Sequence, residues 1–328
     1  AGLSPVFRVP GEYLDRVQLL RNALQVNRGD NTFAETGIFS GVEASDWSWG
    51  PIFLDVDLDG YEDILVTNGQ LRDFQDSDGG ERIAAAQRGG RTLGTADIIR
   101  LAGQLPIFAT PNVLFRNRTG ERVASNVAGG SSPVIPVFSE VAQEWGFAAS
   151  GISQGAALAD LDGDGDLDMV VNNLLESPWV YRNETTAPRV AVRLRSSSGN
   201  THGIGAKVTV RLAAGRSAMP PEQYQHLISG CRYLSGDEAL RVFAAGAQQA
   251  VELEVRWPSG SVQRLSGIPA NSLVEVREGP GRAPDASPIT PPASRLQFAD
   301  VSARLEHVHQ DEPFEDTERQ PLIPHKLS

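Results

Sequence analysis

The stretch DLDGDGDLDMVVNN, Asp160 to Asn173, puts five aspartates into nine positions and then turns apolar. A near copy, DVDLDGYEDILVTN, runs from Asp55 to Asn68, with five acidic residues between Asp55 and Asp63. Both fit D-x-D-x-D-G-x-x-D, as Asp55, Asp57, Asp59, Gly60, Asp63 and as Asp160, Asp162, Asp164, Gly165, Asp168. Like charges crowded into one turn repel each other and destabilise a compact state unless something neutralises them. Alternate carboxylates at the first, third and fifth positions converge on one point if the backbone curls. The glycine at the sixth permits the sharp turn, the carbonyl of the seventh (Tyr61 or Asp166) adds an oxygen, and the ninth closes the site. Hard oxygens in a flexible loop suit Ca²⁺, which takes about six to eight of them; Mg²⁺ demands stricter octahedral geometry and keeps its waters. Two Ca²⁺ sites are therefore expected. One is made by Asp55, Asp57, Asp59, Tyr61 and Asp63, the other by Asp160, Asp162, Asp164, Asp166 and Asp168.

An EF-hand loop shares the first half of this pattern but needs a bidentate Glu at its twelfth position and a helix on each side. The residues there are Val66 and Val171, which have no side-chain oxygen. Each loop runs instead into ILV or MVV, the apolar, partly β-branched run of a buried strand. Two loops with one spacing and the same strand behind them argue against a merely solvated acidic turn.

The duplication reaches further. Phe33-Ala-Glu-Thr and Phe138-Ser-Glu-Val stand at the same offset, 22 positions, before Asp55 and Asp160. NALQVN (Asn22–Asn27) and NVLFRN (Asn112–Asn117) precede them, PWVYRN (Pro178–Asn183) restarts the pattern, and Phe298-Ala-Asp-Val supplies a third Phe element. Such units cannot bury their apolar faces alone, and radial stacking into a β-propeller is the usual solution. Two insertions interrupt the repeat. Gln70 to Pro111 holds ERIAAAQ and ADIIRLAGQL, the convincing helical stretches. Pro188 to Glu278 holds RVAVRLR, AKVTVRL, EQYQHLI, LRVFA, VELEVRW and LVEVRE, strand-like runs parted by turn signals. The expected architecture is all-β: a partial β-propeller, an inserted antiparallel β-sandwich and a small helical insertion. Its boundaries are 1–187 for the repeats (helical insert at about 70–111), 188–278 for the sandwich, 279–297 for a stiff exposed Pro-rich linker, and 298–328 for the start of a further repeat.

The composition agrees. A chain of 328 residues allows about two domains and a sizeable core. It is 40% hydrophobic, and its 33 Gly and 21 Pro favour many short strands joined by turns. A formal net charge of -12 makes nucleic acid and anionic membrane poor partners. Cys231 is the single cysteine, so no intrachain disulfide forms. No apolar run approaches the roughly 20 residues of a membrane span. The start AGLSPVFRVP, without signal peptide or initiator Met, reads as processed or excised. Further repeats are expected beyond Ser328 in a longer parent protein.

The DxDxDGxxD loops followed by ILV-TN resemble FG-GAP/VCBS repeats, as in integrin α-chain propellers. The inserted region resembles the ASPIC/UnbV domain of the cartilage acidic protein-like family, at GIGAKVTV (Gly203–Val210), RYLS (Arg232–Ser235) and VRWPSG (Val255–Gly260). DWSWGPIFLDVDLDGYEDILVTNG and the terminal FEDTERQPLIPHKLS look like its large bacterial members. RVFAAG (Arg241–Gly246) departs from the family's phenylalanine and glycine-rich turn. The resemblance implies calcium binding, a propeller beside a small β-domain, and a secreted, periplasmic or cell-surface location. It implies no settled activity.

Other candidates carry less. Arg28-Gly29-Asp30 spells an adhesion tripeptide, but NRGDNTF fits the turn of the repeat itself. His307, His309 and His325 lie near Asp311, Glu312, Glu315 and Asp316 with no zinc spacing. His202, His226 and Cys231 read as structural, and Trp47, Trp49, Trp145 and Trp179 as blade packing rather than a sugar platform. No nucleophile elbow, phosphate loop or acid–base carboxylate pair can be nominated, so no catalytic or cofactor-binding residue is assigned. The sequence favours a non-enzymatic, calcium-stabilised extracellular β-scaffold that binds or adheres to a protein or glycan. The alternative is a polysaccharide-active or biosynthetic enzyme built on a propeller.

Overall fold

The computed structural model describes residues 21–88, 95–121, 135–197, 199–213, 219–230, 232–279, 285–289 and 298–304. Cys231, His307, His309, His325 and the terminal FEDTERQPLIPHKLS lie outside them. In chain order come β1 (Gln25–Asn27), β2 (Phe33–Glu35), the single turn α1 (Gly37–Ser40), β3 (Ser48–Leu54) and β4 (Asp63–Asn68). Next are α2 (Ser77–Arg88), α3 (Thr95–Ala102), β5 (Thr110–Pro111), β6 (Val113–Asn117), β7 (Phe138–Glu140), β8 (Ser150–Gly151), β9 (Ser153–Ala159), β10 (Asp168–Asn173) and β11 (Trp179–Asn183). The remainder are β12 (Arg189–Arg195), β13 (Lys207–Arg211), β14 (Glu222–His226), β15 (Leu240–Ala244), β16 (Ala250–Arg256), β17 (Val262–Pro269), β18 (Ser272–Arg277), β19 (Asp285–Pro288) and β20 (Phe298–Asp300). The protein is mostly strand with few helices. Both longer helices fall in the segment whose periodicity predicts them, and Asp76 accepts the Gly79 N–H at 2.7 Å to cap the first.

Two four-stranded sheets share one plan, β3-β4-β6-β7 and β9-β10-β11-β20, antiparallel throughout. Their second strands carry the ILV and MVV runs. β4 is buried at every residue, the environment that a central strand packed on both faces provides. Three antiparallel strand pairs then repeat one register. Asn27 lies opposite Phe33, Asn117 opposite Phe138, and Asn183 opposite Phe298. In each, the acid two residues after the Phe accepts the backbone N–H that opens the next turn: Glu35 from Gly37 (2.7 Å), Glu140 from Ala142 (2.7 Å), Asp300 from Ser302 (2.9 Å). The sequence duplication is thus a structural one. The outer strand of the second sheet arrives from Phe298, after the whole inserted region. Phe138 and Phe298 are 8% and 1% exposed, whereas Phe33, in the two-stranded sheet, is 61% exposed.

The inserted strands form two further sheets, β15-β12-β18-β19 and β14-β13-β16-β17, face to face. Val190, Val192, Leu194, Val208, Val210, Phe243, Leu253, Val255, Val274 and Val276 fill the space between them. The other face of the first of these sheets is also apolar. Ala191, Leu240, Val242 and Ala244 join Ile52, Leu114, Phe147, Leu158, Met169, Val171, Tyr181 and Phe298 in one core with the repeat sheets. Strands buried on both sides explain why RVAVRLR and LRVFA read as nearly continuous apolar runs.

Two expectations need correcting. The sandwich is not purely antiparallel: β12 and β18 pair in parallel, Val190 opposite Ser272 through Arg195 opposite Arg277. A parallel pair needs a long crossover, and the intervening strands, most of them in the facing sheet, supply it. The Pro-rich segment between the sandwich and Phe298 is not only a linker. Asp285 to Pro288 add an edge strand to β18, with Leu273 opposite Ser287, and a proline is tolerated at such an edge. The tripeptide Arg28-Gly29-Asp30 occupies the hairpin turn, with Gly29 at φ 80 and Asp30 accepting from Thr32 N–H at 3.0 Å. Trp145 is buried, Trp179 packs edge-on to Tyr181, and the Trp49 indole donates to the Gly69 carbonyl. His226 stands edge-on to Tyr224, and His202 sits 3.3 Å from Arg195.

Tyr181 centres an aromatic cluster, 5.1 Å from the Phe147 ring and 6.1 Å from Phe298. Its hydroxyl is buried with no hydrogen-bond partner, and burial raises its pKa. Tyr181→Phe removes an unsatisfied group without opening a cavity, so chemical denaturation is expected to show unchanged or increased stability. Tyr181→Ala is expected to lose about 3–5 kcal/mol. A loss above about 1 kcal/mol for the Phe variant would show that the hydroxyl is satisfied after all.

Candidate metal centre

Each acidic turn joins two adjacent antiparallel strands, β3 to β4 and β9 to β10. The first aspartate of each accepts two backbone N–H groups from within the turn. Asp55 takes those of Asp59 (3.0 Å) and Gly60 (2.8 Å), and Asp160 takes those of Gly163 (2.8 Å) and Gly165 (3.1 Å). The fifth position repeats too, Asp59 accepting from Tyr61 N at 2.9 Å and Asp164 from Asp166 N at 3.0 Å. The sixth-position glycines take the left-handed conformation, Gly60 at φ 92 and Gly165 at φ 85. The fourth position is left-handed as well. Gly163 accepts this freely at φ 81, while Leu58 is held at φ 53 by burying its side chain in the shared core.

These bonds curl the turns so that carboxylates converge. One oxygen each from Asp55, Asp57 and Asp59 lie within 4.8 Å of one another, and so do oxygens of Asp160, Asp162 and Asp168. The other expected ligands are placed differently. Both oxygens of Asp63 accept backbone N–H groups, from Val56 (3.0 Å) and Asn117 (2.7 Å). Asp168 does the same with Leu161 (2.8 Å) and Asn183 (2.8 Å) while remaining close to its cluster. Asp164 and Asp166 face the fully buried Arg189 at 3.1 and 3.2 Å. Tyr61 stands at the seventh position with its ring against Gly120.

Arginines that the motif does not contain supply part of the neutralisation. Arg116 donates to Asp57 at 2.7 Å, lies 3.8 Å from Asp59, and rests over the Trp145 ring at 5.6 Å. Its counterpart Arg182 lies 3.9 Å from Asp162 but is held by Glu184. Positive charge remains short: the four aspartates from Asp55 to Asp63 are met by the Arg116 guanidinium, at Asp57 and Asp59. Asp57 Oδ1 is buried without a hydrogen-bond partner on a side chain only 10% exposed, whereas the buried Oδ2 atoms of Asp164 and Asp166 are ion-paired to Arg189. Bare buried carboxylate oxygens in an oxygen-rich turn are what a divalent cation requires. The residues fit the ion.

Protonation tells the same story. Burial, then the neighbouring aspartates, pushes Asp55 well above the usual carboxylate range. Burial raises Asp57 against the pull of Arg116, and it also raises Asp160 and Asp164. Burial with like-charge crowding pushes Asp59 up to about 6, Asp168 to about 7, Asp63 to about 8 and Asp166 to about 10.

Beside the first turn a cleft of about 650 Å³ runs between Phe53, Tyr61 and Glu62 on one wall and edge strand β14 with Arg232 and Asp237 on the other. Phe53 and Tyr224 are 46% and 57% exposed along it, and the Lys207 ammonium lies 3.8 Å from the Tyr224 ring centre. Glu62 is raised by burial and lowered again by Arg232, which is itself paired with Asp237 at 2.9 Å.

A mostly β protein with paired acidic turns and a two-sheet insert shares parts of its sequence with known proteins. Residues 196–283 match the family model described as "ASPIC and UnbV". Among curated proteins, human Cartilage acidic protein 1 is 26% identical over 279 residues, 78% of this chain and 40% of that protein. The chain therefore spans well under half the length of that relative. No helix among the described residues is long and apolar enough to cross a membrane.

The raised carboxylates predict a pH signature. In the absence of divalent ions the fold holds protons more tightly than the unfolded chain. Stability is therefore present at low pH and is lost as pH rises through the window from about 6 to about 8 set by Asp59, Asp168 and Asp63. Melting in EDTA should give a higher Tm at pH 6 than at about pH 8.5, and saturating CaCl₂ should abolish or reverse the trend. A flat or opposite profile in EDTA would show that other groups already neutralise the turns.

Proposed function

We propose that this chain is a calcium-stabilised β-scaffold that presents a binding surface to a protein or glycan and performs no catalysis. The observation that carries it is the Asp57 oxygen left bare inside the Asp55, Asp57, Asp59 triplet, in a turn whose geometry recurs at Asp160. Ca²⁺ would be held there by Asp55, Asp57 and Asp59, with the Tyr61 carbonyl in reach of the seventh position and Asp63 clasping the turn. In the second turn Asp160, Asp162 and Asp168 would hold it, with Asp164 and Asp166 nearby. The ion replaces repulsion by attraction and fixes the geometry of each turn.

In this reading the two four-stranded sheets are successive blades of an FG-GAP/VCBS propeller, and β1–β2 is the outer pair of another. Their shared order and Asn–Phe register support it. Residues 188–278 form the ASPIC/UnbV-like sandwich, seated between the third and fourth strands of the second blade. The cleft beside the first turn, with exposed rings and a carboxylate, is the surface offered to a ligand. A secreted, periplasmic or cell-surface location follows from the need for abundant Ca²⁺ and accords with the likeness to Cartilage acidic protein 1.

Thermal melting with EDTA, CaCl₂ or MgCl₂ tests the proposal. Calcium at about a hundred times its Kd is expected to add roughly 2.7 kcal/mol per site, with Mg²⁺ giving less. Calorimetry is expected to count two ions in the protein and one in Asp57→Asn. An unchanged Tm with no binding heat would refute the calcium role.

A further inference from the structure

The two acidic turns share the bonds of their sixth, seventh and ninth positions, and they diverge most where the third strand of each sheet ends. In the first repeat the strand-end asparagine, Asn117, serves its own turn. Its N–H donates to Asp63, its amide Nδ2 donates to the Glu62 carbonyl at 3.0 Å, and its Oδ1 accepts from the Thr119 hydroxyl at 2.5 Å. In the second repeat the backbone half is kept, with Asn183 N donating to Asp168 at 2.8 Å, but the side chains are redirected. Asn183 Nδ2 donates to the carbonyl of Val56, in the first turn, at 3.0 Å. Thr185, the counterpart of Thr119, turns its hydroxyl toward the carbonyl of Asp57 at a longer 3.4 Å.

A second path runs through Arg189. Its guanidinium donates to the Asp164 carbonyl at 2.9 and 3.1 Å and to the Thr185 carbonyl at 2.8 Å. Asn183, Thr185 and Arg189 are 2%, 3% and 0% exposed, so these bonds are shielded from bulk water. The backbone of Val56 is held on both sides: its N–H by Asp63 of its own turn, its C=O, in the peptide to Asp57, by Asn183, which Asp168 of the other turn fixes. That peptide leads directly into Asp57, the residue with the bare oxygen.

Resting on the calcium reading above, we infer that the first cation site is completed by the second repeat: Asn183 and Thr185 are positioning residues that make the two sites bind Ca²⁺ cooperatively. The two-state element is the first turn. Without ions, its carboxylates repel and the turn loosens. An ion in the second turn immobilises Asp168 and Asp164, hence Asn183 and Thr185, and holds the Val56–Asp57 peptide in the arrangement the first ion needs. Coupling between sites is reciprocal, so an ion in the first turn must favour the second equally.

The experiment is calorimetric titration of the whole chain, stripped of divalent ions, with CaCl₂. Asp160→Asn disables the second site, and it is expected to weaken the first about tenfold, within the usual range of coupling. Asp55→Asn is expected to weaken the second by the same factor. In an Asn183→Ala background the Asp160→Asn change should move the affinity of the first site by clearly less than tenfold, since only the Thr185 and Arg189 path remains, a result that loss of stability alone does not produce. If Asn183→Ala fails to fold, the reciprocal pair, in which Asn183 is intact, still decides. Two ions binding independently, with each single-site variant leaving the other Kd unchanged, would overturn the coupling while leaving the calcium reading in place. Absence of any binding heat would overturn both.

Discussion

A buried carboxylate accepting two backbone N–H groups holds each acidic turn to the sheet beneath it. Asp63 and Asp168, both 1% exposed, take one N–H from the start of their own turn and one from the end of the third strand of their sheet. Without that clasp the turn has no fixed relation to the third strand, and the arginines there would not face its acids. An ionised carboxylate in such a position is stabilised by its donors and penalised by burial and by its neighbours. At Asp63 burial is the largest influence, and the value rises to about 8. The clasp is therefore marginal at neutral pH until positive charge arrives. Arg116 brings one such charge from the side, and the oxygens of Asp55, Asp57 and Asp59 converge within 4.8 Å of one another beside it.

How far this was legible in the residues depends on the distance over which each feature is written. The spacing of the aspartates and the apolar run after them are local, and they show the turn, the strand and the carboxylates that converge there. The Phe and Asn elements recur at fixed offsets, so the duplication is visible even though its outer strand, Phe298 to Asp300, lies beyond an insertion of about a hundred residues. The Arg-Asn ends of NVLFRN and PWVYRN were visible as marks of the repeat, but their purpose was not. Only the fold shows Arg116 against Asp57 and the Asn117 N–H on Asp63. Arg189 is harder still. In RVAVRLR it looks like one of several surface arginines, and nothing local says that it alone is fully enclosed. Likewise the parallel pairing of Val190 with Ser272 is a relation between distant segments, and the strand at Asp285 hides in a composition that reads as linker.

Leu58 shows how the two turns reach one geometry by different means. The fourth position is left-handed in both, and Gly163 meets the demand without strain. Leu58 does not, yet it exchanges backbone ease for a side chain seated in the core that the sheets share with the insert. The first turn is thus tied to the core by packing, while the second is tied by Arg189. This difference suits their surroundings, since Gly60 of the first abuts Met219 and Pro220, and Gly165 of the second abuts Ile289. The first turn presses against the inserted region at its glycine and the second against the segment that follows the insertion, while residues 161–163 of the second stay exposed.

The place of the insertion accounts for the break in symmetry between the repeats. After Asn117 the chain stays beside its own turn, with Thr119 bonded back to Asn117, before it pairs as β7. After Asn183 the chain instead departs into β12, and within six residues it must leave one sheet and enter another. Thr185 and Arg189 lie on that departure. The bend brings Asn183 and Thr185 to the first turn, and it brings the guanidinium of Arg189 under the second, where Asp164 and Asp166 would otherwise face a dry interior with no cation. A buried arginine between acids is rarely a net gain over an apolar core, but removing one partner of such a set is severe. Arg189 is therefore best understood as the condition on which an inserted sheet can be packed directly against an acidic turn: the first residue of the new strand carries the charge that the contact requires.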